Sequence, residues 1–292
     1  MKVTGFTFIK NALIYDYPVV EAIKSILPIC DEFVVAVGKS DDDTLDLIKN
    51  IDSKIRIIET IWDDSLREGG KVLAVETDKA LDAISSDTDW AFYIQGDEVV
   101  HEKYLNTIKD NMFKFKDSSN VDGLLFNYLH FYGSYDYVGM SSQWYRNEIR
   151  VIKMNKSIFS YRDAQGFRKG NNEKLNVIPI DAYVYHYGWI KDPKAMQRKQ
   201  ETFHKMYHDD NWIEQNVLKT NEFDYEKHVS VLKHFDGDHP QAIKKRILQK
   251  NWKFDIDITR NKLSLKDKTK NFLRQYFKIN LGYKNYRIVK SF

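Results

Sequence analysis

An apolar run that ends abruptly in acidic residues is the most informative feature of the sequence. The run 90–94 (Trp-Ala-Phe-Tyr-Ile) is followed by Gln95-Gly96-Asp97-Glu98. Carboxylate oxygens at the end of a buried strand suit a hard divalent cation, which can also hold the diphosphate of a substrate. The alternative is a turn that carries two exposed acids. The first interpretation predicts a metal site at Asp97.

A second candidate ligand is a histidine inside an aromatic run. His186 lies in Val184-Tyr185-His186-Tyr187-Gly188-Trp189. A neutral imidazole that joins a carboxylate favours a site that accepts Mn²⁺ as well as Mg²⁺. Lone histidines in such runs are also common as hydrogen-bonded core residues, and the sequence leaves both interpretations open.

Polar residues follow two further β-rich runs. Lys10-Asn11 follows the first, and Lys39-Ser40-Asp41-Asp42-Asp43-Thr44 follows the second. Ligands of doubly wound sheets bind outside the carboxyl ends of the strands, so we expect these residues to share one cleft with Asp97. The acids at 41–43 fit either the start of a helix or a carboxylate that accepts hydrogen bonds from a nucleotide base or ribose.

Two nucleotide-binding motifs are incomplete. Gly38-Lys39-Ser40 matches the end of a phosphate-binding P-loop, but Phe33 stands where the leading glycine belongs. No G-x-G-x-x-G motif follows any predicted strand. A kinase-type NTPase and a dinucleotide-dependent dehydrogenase are therefore disfavoured.

The elements that must position these residues alternate in the first 130 positions. Periodicity predicts helices between successive β-rich runs, which indicates an α/β fold with a doubly wound, mostly parallel sheet. The predicted strands are Val3–Ile9, Glu32–Val37, Lys54–Ile58, Trp90–Ile94 and Gly123–Tyr128, and later Ile149–Met154 and Ala182–Tyr187.

The pattern changes twice along the chain. We expect a catalytic domain over 1–190, with a donor half at 1–130 and an acceptor half at 131–190, followed by a helical, basic extension over 191–292. Residues 244–292 hold 15 Lys and Arg against three Asp, an excess of 12, so residues 1–243 sum to −9 of the overall +3. Leu265, Phe272, Leu273, Tyr276 and Phe277 fall on one helical face. Such a basic amphipathic helix either rests on an anionic membrane or packs on the domain.

Composition excludes several classes of protein. One cysteine, Cys30, excludes an internal disulfide and a multi-cysteine metal site. No run approaches the roughly 18 apolar residues of a membrane span, and the start lacks the pattern of a signal peptide. We therefore expect a cytoplasmic protein that can work at the inner face of the membrane.

Together these motifs resemble the nucleotide-sugar glycosyltransferases of the GT-A fold, family 2, found in bacterial surface-glycan pathways. The resemblance covers residues 3 to about 240 and includes Glu148-Ile149-Arg150-Val151 as an Arg-bearing strand. It implies that Asp97 is the last acid of the DXD motif, that Gln95 replaces the first acid, and that His186 is the late metal or diphosphate contact. It also places the start of the helix at Lys71 against the donor. The implied donor-binding residues are Lys10, Asn11, Ser40, Asp42, Lys71, Gln95, Gly96 and Asp97.

The resemblance further implies an inverting transfer from a nucleotide-diphosphate sugar to a glycan or lipid-linked acceptor. Such a reaction needs a carboxylate base, for which we prefer Asp163 and keep Glu148 as the second candidate. The expected acceptor-side residues are Glu98, Arg150 and Trp189.

Two other functions remain open. One is a nucleotidyltransferase, although the usual glycine-rich basic loop is missing after Ile9. The other is a non-catalytic protein that binds a membrane or nucleic acid through its basic tail, and of these two we do not expect nucleic acid.

Overall fold

The computed structural model of the chain describes residues 1–217, 220–227, 231–260, 264–277 and 284–290. The strands are β1 Val3–Ile9, β2 Glu32–Gly38, β3 Ile55–Thr60, β4 Trp90–Tyr93, β5 Glu98–Val100, β6 Gly123–Tyr132, β7 Ser134–Gly139, β8 Asn147–Lys153, β9 Ile158–Tyr161, β10 Gly166–Lys169, β11 Glu173–Trp189, β12 Leu232–His234 and β13 Tyr286–Ile288. The α-helices are α1 Val19–Ile26, α2 Thr44–Lys49, α3 Lys71–Asp82, α4 Leu105–Phe115, α5 Pro193–Lys205, α6 Asp210–Asn216, α7 Lys244–Gln249 and α8 Leu265–Phe277.

One sheet organises the protein, in the order β3-β2-β1-β4-β8-β6-β11-β10-β9. The first four strands are parallel, which requires a crossover after each strand, and α1, α2 and α3 provide the crossovers. Strand β8 runs antiparallel to both of its neighbours, β4 and β6. The predicted α/β fold with a parallel-rich sheet is confirmed.

The hydrophobic core lies on both faces of the parallel strands. Successive side chains of β2 enter opposite clusters: Phe33 and Val35 pack on one face, and Val34 and Ala36 on the other. Side chains of a strand alternate between faces, so a strand that is buried on both sides reads as a continuous apolar run. This is why the parallel strands could be located from the sequence.

The C-terminal segment is less helical than predicted. Within 191–292 the chain forms helices, but β12 pairs with β7 and β13 pairs in parallel with the start of β11. The unpaired N–H and C=O groups of a sheet edge favour such pairing, and runs of three residues are too short to be identified by periodicity. The segment is therefore partly built into the sheet. The division into domains stays a prediction.

A buried ion pair joins β5 to the middle of the sheet. Arg150 on β8 donates two hydrogen bonds to the Glu98 carboxylate, from Nε at 2.8 Å and from Nη2 at 2.7 Å. The Tyr128 hydroxyl donates a third at 2.8 Å. The side chains of Glu98 and Arg150 are 0% and 1% exposed. Full hydrogen bonding compensates for the cost of burying both charges.

Loss of one partner from this pair should destabilise the fold strongly. Arg150→Met leaves the Glu98 carboxylate buried and uncompensated, and we expect the free energy of unfolding in urea to fall by about 3–5 kcal/mol. The matched control is Arg67→Met, because Arg67 pairs with the exposed Asp210 at 2.8 Å, and such pairs contribute about 1 kcal/mol or less. Equal losses in the two variants would contradict the importance of the buried pair.

Candidate functional site

A tight turn after β4 presents Asp97 at the carboxyl end of the parallel strands. The backbone N–H of Glu98 donates to the Gln95 carbonyl at 3.0 Å, and the N–H of Gln95 donates to the Glu98 carboxylate at 3.1 Å. The N–H of Tyr187 on β11 donates to the Asp97 carbonyl at 2.8 Å. A Cβ at Gly96 would lie 3.1 Å from a methyl of Ile9, so the turn packs closely against the end of β1.

The structure brings the two predicted metal ligands together. Asp97 Oδ1 lies 3.7 Å from His186 Nε2, and the two side chains are 13% and 11% exposed. Gly188 leaves the space between them open, because a Cβ there would lie 2.6 Å from Asp97 Oδ2 and 3.0 Å from His186 Nε2. A carboxylate oxygen and an imidazole nitrogen thus line one small recess.

Two lysines that the sequence analysis missed complete the surroundings of Asp97. Lys199 on α5 points its Nζ to Asp97 Oδ2 at 3.4 Å. Lys191, which follows β11, is fully buried and donates to the carbonyl of Asp16 at 2.7 Å. Both ammonium groups lie over the ring of Tyr17, at 4.4 Å for Lys191 and 5.3 Å for Lys199. Their only sequence signal was their position just after the strand that carries the histidine.

These neighbours fix the charge states of the site. Burial alone would raise the pKa of Asp97, but His186, Lys199 and Lys191 outweigh it and lower the pKa to about 2. Burial lowers the pKa of His186, although Asp97 opposes the effect. At neutral pH Asp97 is therefore a carboxylate and His186 a neutral imidazole, which are the forms that bind a metal.

The donor atoms fit a divalent cation that is shared with a substrate. Carboxylate oxygen and neutral imidazole nitrogen are both ligands of Mn²⁺, and the recess beside Gly188 lies between them. The buried His186 Nδ1 has no hydrogen-bond partner among the described residues, so no hydrogen bond occupies the second nitrogen of the ring. No group of three or more Asp, Glu, His or Cys side chains suited to a metal occurs in the described part of the chain. Further ligands would have to come from diphosphate and water.

The loops after β1 and β2 fasten one another. The Asn11 side chain donates to the Asp41 carboxylate at 3.1 Å and accepts from the Asp41 N–H at 2.8 Å. The Asn11 N–H donates to Ser40 Oγ at 3.0 Å, and Ser40 Oγ in turn donates to the Gly38 carbonyl. Asn11 and Ser40 therefore shape the edge of the predicted donor cleft, and their contact with a donor stays a prediction.

The chain itself supplies hydrogen-bond donors to the Asp42 carboxylate, and contact of this carboxylate with a base or ribose stays a prediction. Asp42 Oδ2 accepts from the backbone N–H groups of Leu13 and Ile14, at 3.0 and 2.9 Å. Asp42 Oδ1 accepts from the N–H and the hydroxyl of Thr44. A carboxylate has about four lone-pair sites, and four donors from the chain already use them. The interpretation as a helix start is the one that the structure supports.

The two predicted donor-binding lysines border the same edge of the sheet. Lys10 follows β1 and lies with its Nζ 5.4 Å from the ring centre of Trp62. Lys71 is exposed and begins α3, directly after Gly70, whose φ of +69° suits glycine. Whether either lysine meets phosphate stays a prediction.

A strained hairpin turn brings Asp163 toward the turn after β4. Arg162 and Ala164 both have positive φ, +57° and +60°, a conformation that is uncommon for residues other than glycine. The Gln95 side chain donates to the Ala164 carbonyl at 3.1 Å, which ties the hairpin to the turn. The Asp163 carboxylate accepts a hydrogen bond from the Tyr207 hydroxyl at 2.9 Å.

Three predicted site residues are buried away from any cleft. Glu98 and Arg150 bind each other inside the sheet, so their assignment to the acceptor side is wrong. Glu148, the second candidate base, is only 3% exposed and accepts a hydrogen bond from the Gln165 side chain at 3.0 Å. Burial raises the pKa of Glu148 to about 8 against the opposing effects of Arg150 and Gln165, so this acid is protonated at neutral pH.

Trp189 borders an aromatic pocket of about 250 Å³ and directly follows Gly188, which lies against Asp97 and His186. The ring of Trp189 stacks on Tyr132 at 6.0 Å and meets Trp144 edge-on at 6.1 Å. The polar side chains of the lining are two amides and an imidazole. The lining residues are Tyr132, Gln143, Trp144, Trp189, Gln200, His204 and Phe223.

Comparison with known proteins gives distant similarities only. No protein-family model and no curated protein matches the chain. Similar solved structures include Staphylococcus aureus TarS 1–349 in complex with UDP, at 14% identity and a TM-score of 0.39 over 69% of this chain and 64% of that one. Another is the 4-diphosphocytidyl-2C-methyl-D-erythritol synthase of Anaerococcus prevotii DSM 20548, at 12% identity and a TM-score of 0.38 over 65% and 91%.

A third is glucosyl-3-phosphoglycerate synthase of Mycobacterium tuberculosis with Mn²⁺, UDP and phosphoglyceric acid, at 18% identity and a TM-score of 0.30 over 44% and 43%. The match to TarS 1–349 and the match to this synthase each cover less than two thirds of the other chain. Because each of these TM-scores is below 0.5, the residues of this chain are the basis for its function.

Ionisation of Glu148 should make stability depend on pH. Its pKa rises from 4.5 in the unfolded chain to about 8 in the fold, so the contribution of Glu148 to stability is greatest below pH 4.5 and falls as the pH rises toward 8. Glu148→Gln cannot ionise. From pH 5 to pH 8 we expect the variant to gain about 3 kcal/mol in free energy of unfolding relative to the parent, measured in urea. A difference that does not change with pH, as expected for the exposed control Glu173→Gln, would contradict the buried neutral acid.

Proposed function

We propose that the protein is a glycosyltransferase that moves a sugar from a nucleotide-diphosphate donor to a glycan or lipid-linked acceptor. The observation that carries this proposal is the convergence of Asp97, His186 and Lys199 at the carboxyl end of a parallel sheet. One carboxylate, one neutral imidazole and one ammonium suit an anionic leaving group that is bound partly through a divalent cation. A role in surface-polysaccharide or glycoconjugate synthesis follows from the resemblance alone.

The residues around Asp97 would act on the donor. Asp97 and His186 would hold Mn²⁺ or Mg²⁺, which supplies positive charge to the departing diphosphate. Lys199 adds a fixed ammonium on the other side of the carboxylate. Gln95 and Gly96 form the turn that positions Asp97. Lys10 and Lys71 are the further predicted contacts with the donor.

Asp163 is the proposed base for the acceptor hydroxyl. The hydrogen bond from Tyr207 holds one oxygen of its carboxylate, and the other is available to take a proton. The link from Gln95 to Ala164 keeps the hairpin next to the turn that carries Asp97. Attack from the face opposite the leaving group would invert the anomeric centre, as the resemblance implies.

The aromatic pocket at Trp189 is the proposed acceptor site. Its lining combines ring faces with the amides of Gln143 and Gln200, a combination that suits a neutral, polyhydroxylated ligand. Trp189 directly follows Gly188 of the donor recess, so a sugar in this pocket would lie next to that recess.

Nucleotide binding tests the proposal. UDP, GDP, CDP and TDP are each added with Mn²⁺ or Mg²⁺, and thermal unfolding is followed. We expect at least one pair to raise the melting temperature and Asp97→Asn to abolish the rise, because the variant loses the carboxylate that lies against His186 and Lys199. Asp181→Asn, at an exposed position of β11, is the matched control and should keep the rise.

Two outcomes would count against this function. No rise with any nucleotide and metal would contradict the donor site, and a larger rise with nucleoside triphosphates than with diphosphates would favour a nucleotidyltransferase.

Trp189→Ala should keep the rise and the slow hydrolysis of the donor while it loses transfer to acceptor. Loss of nucleotide binding in this variant would contradict an acceptor role.

The basic C-terminal segment is proposed to contact an anionic membrane surface. Leu265, Phe272 and Tyr276 on α8 are 82%, 53% and 66% exposed, and the surrounding segment carries the excess of 12 positive charges. The side chain of Phe277, which belongs to the predicted apolar face, lies outside those described. No helix in the described part of the chain has the length and apolar character to cross a bilayer. The cytoplasmic location stays a prediction.

Sedimentation with lipid vesicles tests the membrane proposal. We expect the protein to sediment with vesicles that contain phosphatidylserine at low salt and to be released as salt rises. Phe272→Ser should weaken sedimentation, whereas Phe113→Ser, at an even more exposed phenylalanine on α4, should not. Equal sedimentation with neutral vesicles would contradict the electrostatic contact.

A further inference from the structure

The carboxylate of Asp97 already has a cationic partner within the chain. Lys199 Nζ lies 3.4 Å from Asp97 Oδ2, while Oδ1 faces His186 Nε2 at 3.7 Å. Each oxygen of the carboxylate thus faces a different group. A divalent cation at Oδ1 would share this carboxylate with an ammonium group.

Lys199 is fixed in this position by its own contacts. Its Nζ donates to the Gly188 carbonyl at 2.9 Å, and the side chain is only 12% exposed. The ammonium lies 5.3 Å from the ring centre of Tyr17 and 5.9 Å from that of Phe203. The Nζ of Lys191 lies 4.4 Å from the ring centre of the same Tyr17. These contacts hold the ammonium of Lys199 in one position within the recess, unlike that of a lysine on the surface.

The charge of Lys199 has opposite effects on the two proposed ligands: it repels the divalent cation and attracts the diphosphate. Like charges a few ångströms apart repel strongly when water is largely excluded, so Lys199 opposes a divalent cation on Asp97. The same ammonium attracts the negative oxygens of a diphosphate. A bound diphosphate would place negative charge between the divalent cation and the ammonium and so reduce their repulsion.

We propose that Lys199 competes with the divalent cation for Asp97 and binds the diphosphate of the donor, so that metal and nucleotide bind tightly only together. Each ligand then raises the affinity for the other by the same factor. The recess avoids holding a divalent cation when no donor is present. This inference rests on the proposed function, because it assumes a diphosphate ligand.

Lys199→Met tests the inference with two simple probes. Methionine keeps the length of the side chain and removes its charge. We expect Mn²⁺ alone, titrated by the electron paramagnetic resonance signal of free Mn²⁺, to bind at least ten times more tightly than to the parent protein. Inorganic pyrophosphate, titrated by calorimetry in the presence of a chelator, should bind at least ten times more weakly. A variant that merely loosens the fold would weaken both.

Two controls separate charge from position. Lys199→Arg keeps the charge and should behave like the parent with both probes. Lys194→Met removes a lysine from the first turn of the same helix, where its side chain is 64% exposed and faces Glu222 at 3.8 Å. This variant should leave both affinities unchanged.

The outcomes distinguish this inference from the proposed function. Unchanged or weaker Mn²⁺ binding by Lys199→Met, or unchanged pyrophosphate binding, overturns the role of Lys199 even when nucleotides still stabilise the parent through Asp97. If no nucleotide stabilises the parent with any metal and pyrophosphate does not bind, the proposed function fails, and the inference fails with it.

Discussion

The buried pair of Glu98 and Arg150 is the constraint on which the candidate site depends. Glu98 belongs to the turn after β4, and Arg150 to the antiparallel strand beside β4. Arg150 also donates to the carbonyl of Gln165, in the strained hairpin that carries Asp163. One guanidinium therefore fixes both the turn that presents Asp97 and the loop that presents the proposed base. Because a buried ion pair is stable only when its geometry is satisfied on all sides, small displacements of either segment are costly. The site inherits its rigidity from this pair.

The electrostatics of the site follow from that rigidity. Asp97 cannot move away from His186 and Lys199, since its own carbonyl accepts a hydrogen bond from β11. Burial lowers the pKa of Lys191, so the positive charge in contact with Asp97 is that of Lys199. An ammonium beside the carboxylate suits a doubly charged anion and is unfavourable for a bare metal ion. The arrangement explains in physical terms why an ammonium, an imidazole and a carboxylate meet at the end of a parallel sheet.

The sequence was sufficient for the parallel sheet and for the meeting of Asp97 with His186. Both follow from continuous apolar runs and from the rule that ligands bind at the carboxyl ends of strands. It was insufficient for the direction in which a side chain points. Glu98 adjoins Asp97 but turns inward, because its partner Arg150 comes from a strand that inserts between β4 and β6. Asp42 appeared free for a ligand, yet the loop after β1 aims two N–H groups at it. Lys199 was missed because nothing in a helical pattern shows which lysine faces inward.

The central claim is that Asp97 and His186 form the metal and diphosphate site of a sugar-nucleotide transferase. The most direct measurement is anomalous X-ray scattering from crystals grown with Mn²⁺ and the nucleoside diphosphate that stabilises the protein. We expect a single manganese peak within coordination distance of Asp97 Oδ1 and His186 Nε2, beside Gly188, with the diphosphate between the metal and Lys199. A nucleotide bound elsewhere, or manganese at another group of residues while the recess beside Gly188 stays empty, would contradict it.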